Sequence, residues 1–340
     1  MKRSIFVVMT VALFAVAFVF TCVPYARGEA IKLTYSNFFP PTHIQSQLAD
    51  AWCKEVEKRT HGEVKVEYYP GQTLTKAQQC YDGVVSGLSD IGMSVLGYTK
   101  GRFPVMEVCD LPLGYPNGHV ATALVNAVYE KFRPTELSDT VVMYLTAHGP
   151  GILHTKGKAV RKMEDIKGLK IRSHGTSAKV VQALGGTQVA MPMPETYQSL
   201  QKGVVDGAVY PLEANKGWKL GEVIDFCTRN ISSSYTTAFF VVMNKDKWNS
   251  LSPKIQQTIQ EINTEWIAKH GEAWDNSDEE GLELLKSLNH EMIEQDAAEA
   301  QRWQEAVQPV LKEYIDAMKE KGLPGAEALT YAQETLKEMK

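Results

Sequence analysis

The chain has 340 residues, with 36 Lys and Arg against 40 Asp and Glu, for a formal charge of −4. That is more chain than one hydrophobic core usually organises, so two lobes are expected. A mildly acidic balance without a basic stripe excludes a nucleic-acid binder.

The N-terminus reads as an address. Lys2 and Arg3 precede an apolar run from Ile5 to Phe20, and small residues follow in Ala26-Arg27-Gly28-Glu29-Ala30. This is the layout of a signal peptide over residues 1–28, with cleavage near Gly28 or Ala30. The rival is an uncleaved anchor, since the run is almost long enough to span a bilayer. No small residues stand just before Cys22, which argues against a lipid-anchored cysteine. Losing Lys2, Arg3 and Arg27 takes the charge from −4 to −7. No later segment approaches the length of a membrane span, so the mature chain is expected to be soluble. It retains Cys53, Cys80, Cys109 and Cys227. An exported chain with an even number of cysteines permits two disulfides. Nearest-neighbour pairing, Cys53 with Cys80 and Cys109 with Cys227, is the first choice, and four buried free thiols are the alternative.

Ile31 to Asn37 alternates as a strand, broken by Phe38-Phe39-Pro40-Pro41. Ile44, Leu48, Trp52 and Val56 recur at helical spacing between His43 and Arg59, and His61-Gly62 ends that helix. Val64 to Tyr69 reads as a strand, Thr75 to Ser86 as a helix, and Asp90 to Ser94 as a third strand. The order β-α-β-α-β predicts a mostly parallel, doubly wound sheet. A second such unit follows, with strands at Lys170–Ser173, Gln188–Ala190 and Asp206–Tyr210 and helices at Thr176–Leu184 and Pro194–Gly203. Tyr81, Gly87 and Asp90 have the same spacing as Tyr197, Gly203 and Asp206, so each unit ends a helix at glycine and enters a strand through aspartate. The fold class is therefore α/β, with two similar lobes. Residues 29–150 and about 237–277 are assigned to the first, 151–236 and about 278–340 to the second. Val141–Thr146 and Thr237–Met243 are strand-like segments that cross between them. From Ser252 onward the chain is helical, and Trp248, Trp266, Trp274 and Trp303 are expected to pack those helices.

Catalytic signatures are missing. There is no Gly-x-Ser-x-Gly elbow, no His-Glu-x-x-His, no phosphate-binding glycine loop, and no pair of histidines at metal-ligand spacing. An enzyme is not expected, nor is a metal or cofactor. What stands out is Gly168 to Ser177, where a strand carrying Lys170 and Arg172 runs into a Gly/Ser/Thr turn and a helix. In open α/β lobes ligands gather at the carboxyl ends of strands. Arg172 stands near such an end, and a guanidinium is a planar, permanently charged fork suited to a carboxylate. The alternative is an arginine paired with an acidic residue of the hinge, or facing water.

The segments Ile31–Asn37, Glu55–Gly62, Tyr69–Leu74, Asp165–Arg172 and Val205-Asp206-Gly207 together resemble the solute receptors of tripartite ATP-independent periplasmic (TRAP) transporters, of the dicarboxylate-receptor type. The likeness runs over the whole mature chain. It implies a periplasmic receptor of two α/β lobes joined by crossing strands and a long C-terminal helix, closing on its ligand by hinge motion. It implies a small carboxylic acid gripped by Arg172, and integral-membrane permease subunits as partners of a monomeric receptor. Family site positions fall on Tyr210, commonly asparagine, and on Met193. A second arginine that grips acidic sugars in some members is replaced here by Ile152.

With one buried guanidinium, a second ligand carboxylate would be desolvated without a partner. The expected ligand is therefore singly charged, with an apolar or lightly hydroxylated body walled by Phe38, Phe39, Tyr98, Met193 and Tyr210, and Trp218 at the edge. An aromatic or branched-chain monocarboxylate, including a 2-oxo acid, suits such walls, and a small sulfonate is the alternative. A sensory receptor or an exported enzyme of the same fold are the rivals from other classes.

Overall fold

A computed structural model describes residues 29–339, and the expected leader lies outside the described residues. The first part of the chain runs β1 (Ile31–Asn37), α1 (Ile44–Arg59), β2 (Val64–Tyr69), α2 (Cys80–Val85), β3 (Ile91–Val95), α3 (Gly118–Phe132) and β4 (Thr140–Ala147). Then come β5 (Ile152–Thr155), β6 (Lys170–Ser173), α4 (Gly175–Ala183), β7 (Thr187–Ala190), α5 (Thr196–Gln201), β8 (Gly207–Tyr210), α6 (Ala214–Gly217) and β9 (Phe226–Arg229). The chain closes with β10 (Ala238–Asn244), α7 (Lys245–Ser250), α8 (Pro253–Ser287), β11 (Glu291–Glu294), α9 (Ala297–Ala306), α10 (Gln308–Glu320) and α11 (Gly325–Met339).

Two sheets result, in the orders β2-β1-β3-β10-β4 and β11-β9-β5-β8-β6-β7. In the first, β1 lies parallel to β2 and β3, and β10 lies antiparallel to β3. In the second, β6 lies parallel to β7 and β8, and β5 lies antiparallel to β8. Each lobe is thus a three-stranded parallel unit closed by one antiparallel strand that arrives from the other lobe. The repeated Gly and Asp have the same use in both. Gly87 and Gly203 adopt φ of 78° and 69°, conformations that cost glycine nothing. Asp90 accepts the Thr34 amide at 2.8 Å, tying β3 to β1, and Asp206 accepts the Lys170 amide at 2.8 Å, tying β8 to β6.

Strand alternation divides the first lobe's core. On β10, Phe240 and Val242 face one cluster with α3, α10 and α11, while Phe239, Val241 and Met243 face another with α1 and α8. The residue pattern groups 278–340 with the second lobe. In the structure α9 packs there through Trp303, whereas α10 and α11 return to the first through Leu311, Tyr314, Leu329 and Leu336. Their amphipathic stripes do not say which lobe they cover. The helix read at Thr75–Ser86 starts later, because the Thr75 hydroxyl is engaged by Ser36 at 2.6 Å. The 35-residue α8 opens with Ser252 capping the Ile255 amide and extends about 52 Å. It packs on α1, α3 and β4 of the first lobe and on α6 of the second.

The disulfide pairing preferred from the sequence is corrected. All four cysteines are free and buried. Cys53 lies in the cluster on one face of the first sheet and Cys80 and Cys109 in the cluster on the other, while Cys227 is in the second lobe. The sheet separates the first proposed pair, and the second would join different lobes.

Between β4 and β5, and again between β9 and β10, the chain crosses from lobe to lobe. The two crossings run side by side, with an antiparallel bridge between Gly151 and Tyr235 in which the Gly151 amide donates to the Tyr235 carbonyl at 2.8 Å. The Thr236 hydroxyl adds a bond to the His148 carbonyl. Gly151 is required here, since a Cβ would stand 2.5 Å from Cζ of the Tyr235 ring.

Two outcomes follow from this packing. Unfolding the mature protein in denaturant without reductant should expose four titratable thiols, and reductant should leave Tm unchanged. Two thiols or fewer would show that disulfides form. Gly151→Ala should destabilise by about 1–3 kcal/mol in urea unfolding, because the ring of Tyr235 must move; an unchanged midpoint would contradict this contact.

Candidate functional site

Arg172 lies on β6 between β7 and β8, one strand in from the edge of the second sheet. Its neighbour Ile171 points to the opposite face and into a hydrophobic cluster. Arg172 itself is fully buried at 0 % exposure. Nε donates to the Met191 carbonyl at 3.1 Å and Nη1 to the Val209 carbonyl at 3.5 Å, so main-chain oxygens flanking both neighbouring strands hold the stem. Nη2 makes no hydrogen bond, and among the described residues no carboxyl group lies within ion-pair distance of the guanidinium. A buried cation without a carboxylate beside it lacks the partner that normally offsets its desolvation.

The guanidinium faces a narrow cavity between the lobes of about 20 Å³, room for about one water molecule. The walls come from the carboxyl ends of parallel strands in both lobes. Phe38 and Phe39 follow β1, Tyr98 follows β3, His174 follows β6, Met193 follows β7, and Tyr210, Pro211 and Glu213 end or follow β8. Aromatic rings make a continuous layer. Phe38 stacks between Trp218 at 5.9 Å and Phe239 at 6.3 Å, and Trp274 backs Phe239 at 5.3 Å. Tyr210 lies flat on His154 at 3.8 Å and gives its hydroxyl to Asn215 at 3.2 Å, so it presents a ring rather than a donor.

Contacts across the lobes frame the cavity. The Met193 amide donates to the Tyr98 hydroxyl at 2.9 Å, His43 bonds Glu213 at 2.9 Å, and Thr176 and Lys179 both reach Glu107 at 3.1 Å. Gly97 and Gly175 let the two backbones touch, for a Cβ on Gly175 would stand 3.3 Å from the Gly97 Cα.

Three more polar groups share the condition of Arg172. Tyr235 Oη, Thr237 Oγ1 and His174 Nδ1 are buried, unpartnered, and belong to residues that line the same cavity. Burial and then the Arg172 charge hold His174 well below the usual imidazole range. Burial brings His148 down to about 4, with the Gly149 carbonyl opposing and Arg172 adding to the fall. Arg172 is therefore the positive charge around which the cavity is arranged, and two neutral imidazoles stand beside it.

The structure brings all seven residues singled out in the sequence, Arg172, Tyr210, Met193, Phe39, Phe38, Tyr98 and Trp218, around this one cavity. Ile152 packs in the core of the second lobe, opposite Tyr210 on β5. Missed were His148, His174, Tyr235, Thr237, Phe239 and Glu213. Thr237 opens one of the segments read as crossings and His148 lies two residues past the other, and that position was the available signal. No group of three or more potential metal ligands occurs among the described residues, and no described helix is long and apolar enough to cross a membrane.

Residues 35–317 match the model of bacterial extracellular solute-binding protein family 7. The 2,3-diketo-L-gulonate-binding periplasmic protein of Escherichia coli is 26% identical over 74% of this chain and 76% of its own length. A TRAP solute-binding protein from Rhodoferax ferrireducens, solved with copurified benzoate, has a TM-score of 0.86 at 29% identity, covering 91% of this chain and 98% of that one. One from Bordetella bronchiseptica, solved with (R)- and (S)-mandelate, has a TM-score of 0.85 at 30% identity, covering 91% and 100%. With a buried arginine at the centre of a two-lobed cavity and a family match over most of its length, this chain belongs to the family 7 solute-binding proteins, the periplasmic receptors of TRAP transporters, which are transport proteins rather than enzymes.

Proposed function

We propose that the cavity takes a small organic acid with one negative charge, its carboxylate on Arg172 and its apolar or aromatic body against Phe38, Phe39, Phe239, Trp218 and Tyr210. The observation that carries this reading is the buried guanidinium whose Nη2 has no partner. A carboxylate there completes a charge-assisted pair in a buried site. Tyr235 and Thr237 supply hydroxyl donors for its second oxygen. Ile152 supplies no second guanidinium, so a dicarboxylate would leave one charge desolvated. The benzoate and mandelate carried by two relatives are acids of the proposed kind.

Binding uses the two lobes as jaws. The sheets and their covering helices turn about the paired crossings at Gly151 and Tyr235, and the ligand favours the closed form because only there does it touch both lobes. The closed receptor then delivers its cargo to a membrane permease in the periplasm.

The grip is tested by Arg172→Met. Affinity of the mature protein for benzoate or mandelate, measured by calorimetry, should fall by on the order of 100-fold or more. Tm of the unliganded variant should hold or rise, since a buried unpaired charge has been removed. Unchanged affinity would refute the assignment. Affinity should also stay level from pH 8 to pH 6, because His148, held at about 4, and His174, held lower than usual, are neutral throughout. A gain in affinity as pH falls through the usual histidine range would show that one of them takes up a proton on binding.

A further inference from the structure

His148 stands at the end of β4, where the first crossing begins, and it borders the cavity beside Arg172. Its Nδ1 lies 2.6 Å from the Gly149 carbonyl. A carbonyl only accepts, so Nδ1 carries the proton and Nε2 of the neutral ring is left with a lone pair. Burial keeps the imidazole from acquiring a second proton near neutral pH. Three rings hold its plane edge-on, Tyr235 at 5.8 Å, Phe239 at 6.1 Å and Trp274 at 6.2 Å. Among the described residues nothing donates to Nε2. The cavity therefore contains, near its cation, an acceptor that a donor on the ligand can satisfy. A carboxylate oxygen placed there would meet lone pair with lone pair, and a hydrogen or methyl group would leave the nitrogen desolvated and unpaired. A hydroxyl answers the need without adding charge.

We propose that His148 is a specificity-determining residue that accepts a hydrogen bond from a hydroxyl on the bound acid, so that the preferred ligands are hydroxy-substituted monocarboxylic acids. This rests on the carboxylate reading of Arg172 and narrows it. A site built to pair a ligand hydroxyl discriminates against the analogue that lacks it, because its own polar group is then stranded.

The test is a set of matched pairs titrated calorimetrically into the mature protein freed of copurified ligand. The pairs are each mandelate enantiomer against phenylacetate, and the three monohydroxybenzoates against benzoate. At least one hydroxy acid should bind about ten-fold tighter than its parent. In His148→Phe that ratio should fall to about two-fold or less, whatever the variant's affinity for the parent acid, and His148→Gln, which carries an acceptor to a similar reach, should restore part of the preference. Equal affinities within every pair for the wild-type protein overturn the proposal, as does a ratio that survives in His148→Phe. The wild-type ratios decide whether a hydroxyl is read even if the phenylalanine variant does not fold. Absence of binding by both members of every pair would instead overturn the carboxylate reading, and this proposal with it.

Discussion

A guanidinium buried without a counter-ion is the constraint around which this molecule is organised. Replacing Arg172 by a hydrocarbon of similar volume would cost the fold little, which accords with the recognition role proposed for it. Two carbonyl oxygens steady it and leave one nitrogen toward the cavity. Its field reaches the neighbouring groups, adding to the burial that keeps His148 and His174 neutral and opposing the burial that raises the Tyr98 and Tyr235 hydroxyls. The site thus sets one buried cation among dipoles and rings, with the Glu213 carboxylate engaged by His43.

The architecture explains why such a shell converges on one point. Each lobe ends its parallel strands at the same face, and each receives one antiparallel strand from the other lobe. Residues after β1, β3, β6, β7 and β8 therefore meet across a narrow gap. The symmetry extends to the tie between strands, where Asp90 and Asp206 each take an amide of the adjacent strand. It does not extend to the chemistry. The first lobe contributes Phe38, Phe39 and Tyr98 from the segments that follow its strands, whereas the second contributes Arg172 from within β6.

Much of this was legible in the residues. Period-two and period-3.6 patterns marked both parallel units, and a basic residue at a strand end ahead of a Gly/Ser/Thr turn marked Arg172. Phe38, Phe39 and Tyr98 were accessible to the same logic because they follow strands. His148 and Tyr235 were harder to see, because they lie in irregular crossings whose partner is more than eighty residues away, and no local period encodes that pairing. The cysteines misled for a related reason. An even count says that pairing is chemically allowed, whereas the alternation of β10 between two cores decides that Cys53 and Cys80 are kept apart. The return of α10 and α11 to the first lobe was equally hidden, since an amphipathic stripe specifies that a helix is covered and not by what.

The paired crossings carry one more implication. In the proposed closure, His148, Tyr235 and Thr237 would sit beside the pivot, while Arg172, Phe38 and Phe39 would ride on the arms. Points on an axis of rotation keep their mutual positions when the arms swing. The polar floor is therefore a stationary template, offering the same hydroxyls and the same imidazole lone pair at every opening angle. An incoming acid is sorted by its pattern of donors and acceptors against that template before the aromatic walls arrive. Discrimination among polar groups then belongs to the encounter, and the hydrophobic contacts govern how long the captured molecule stays.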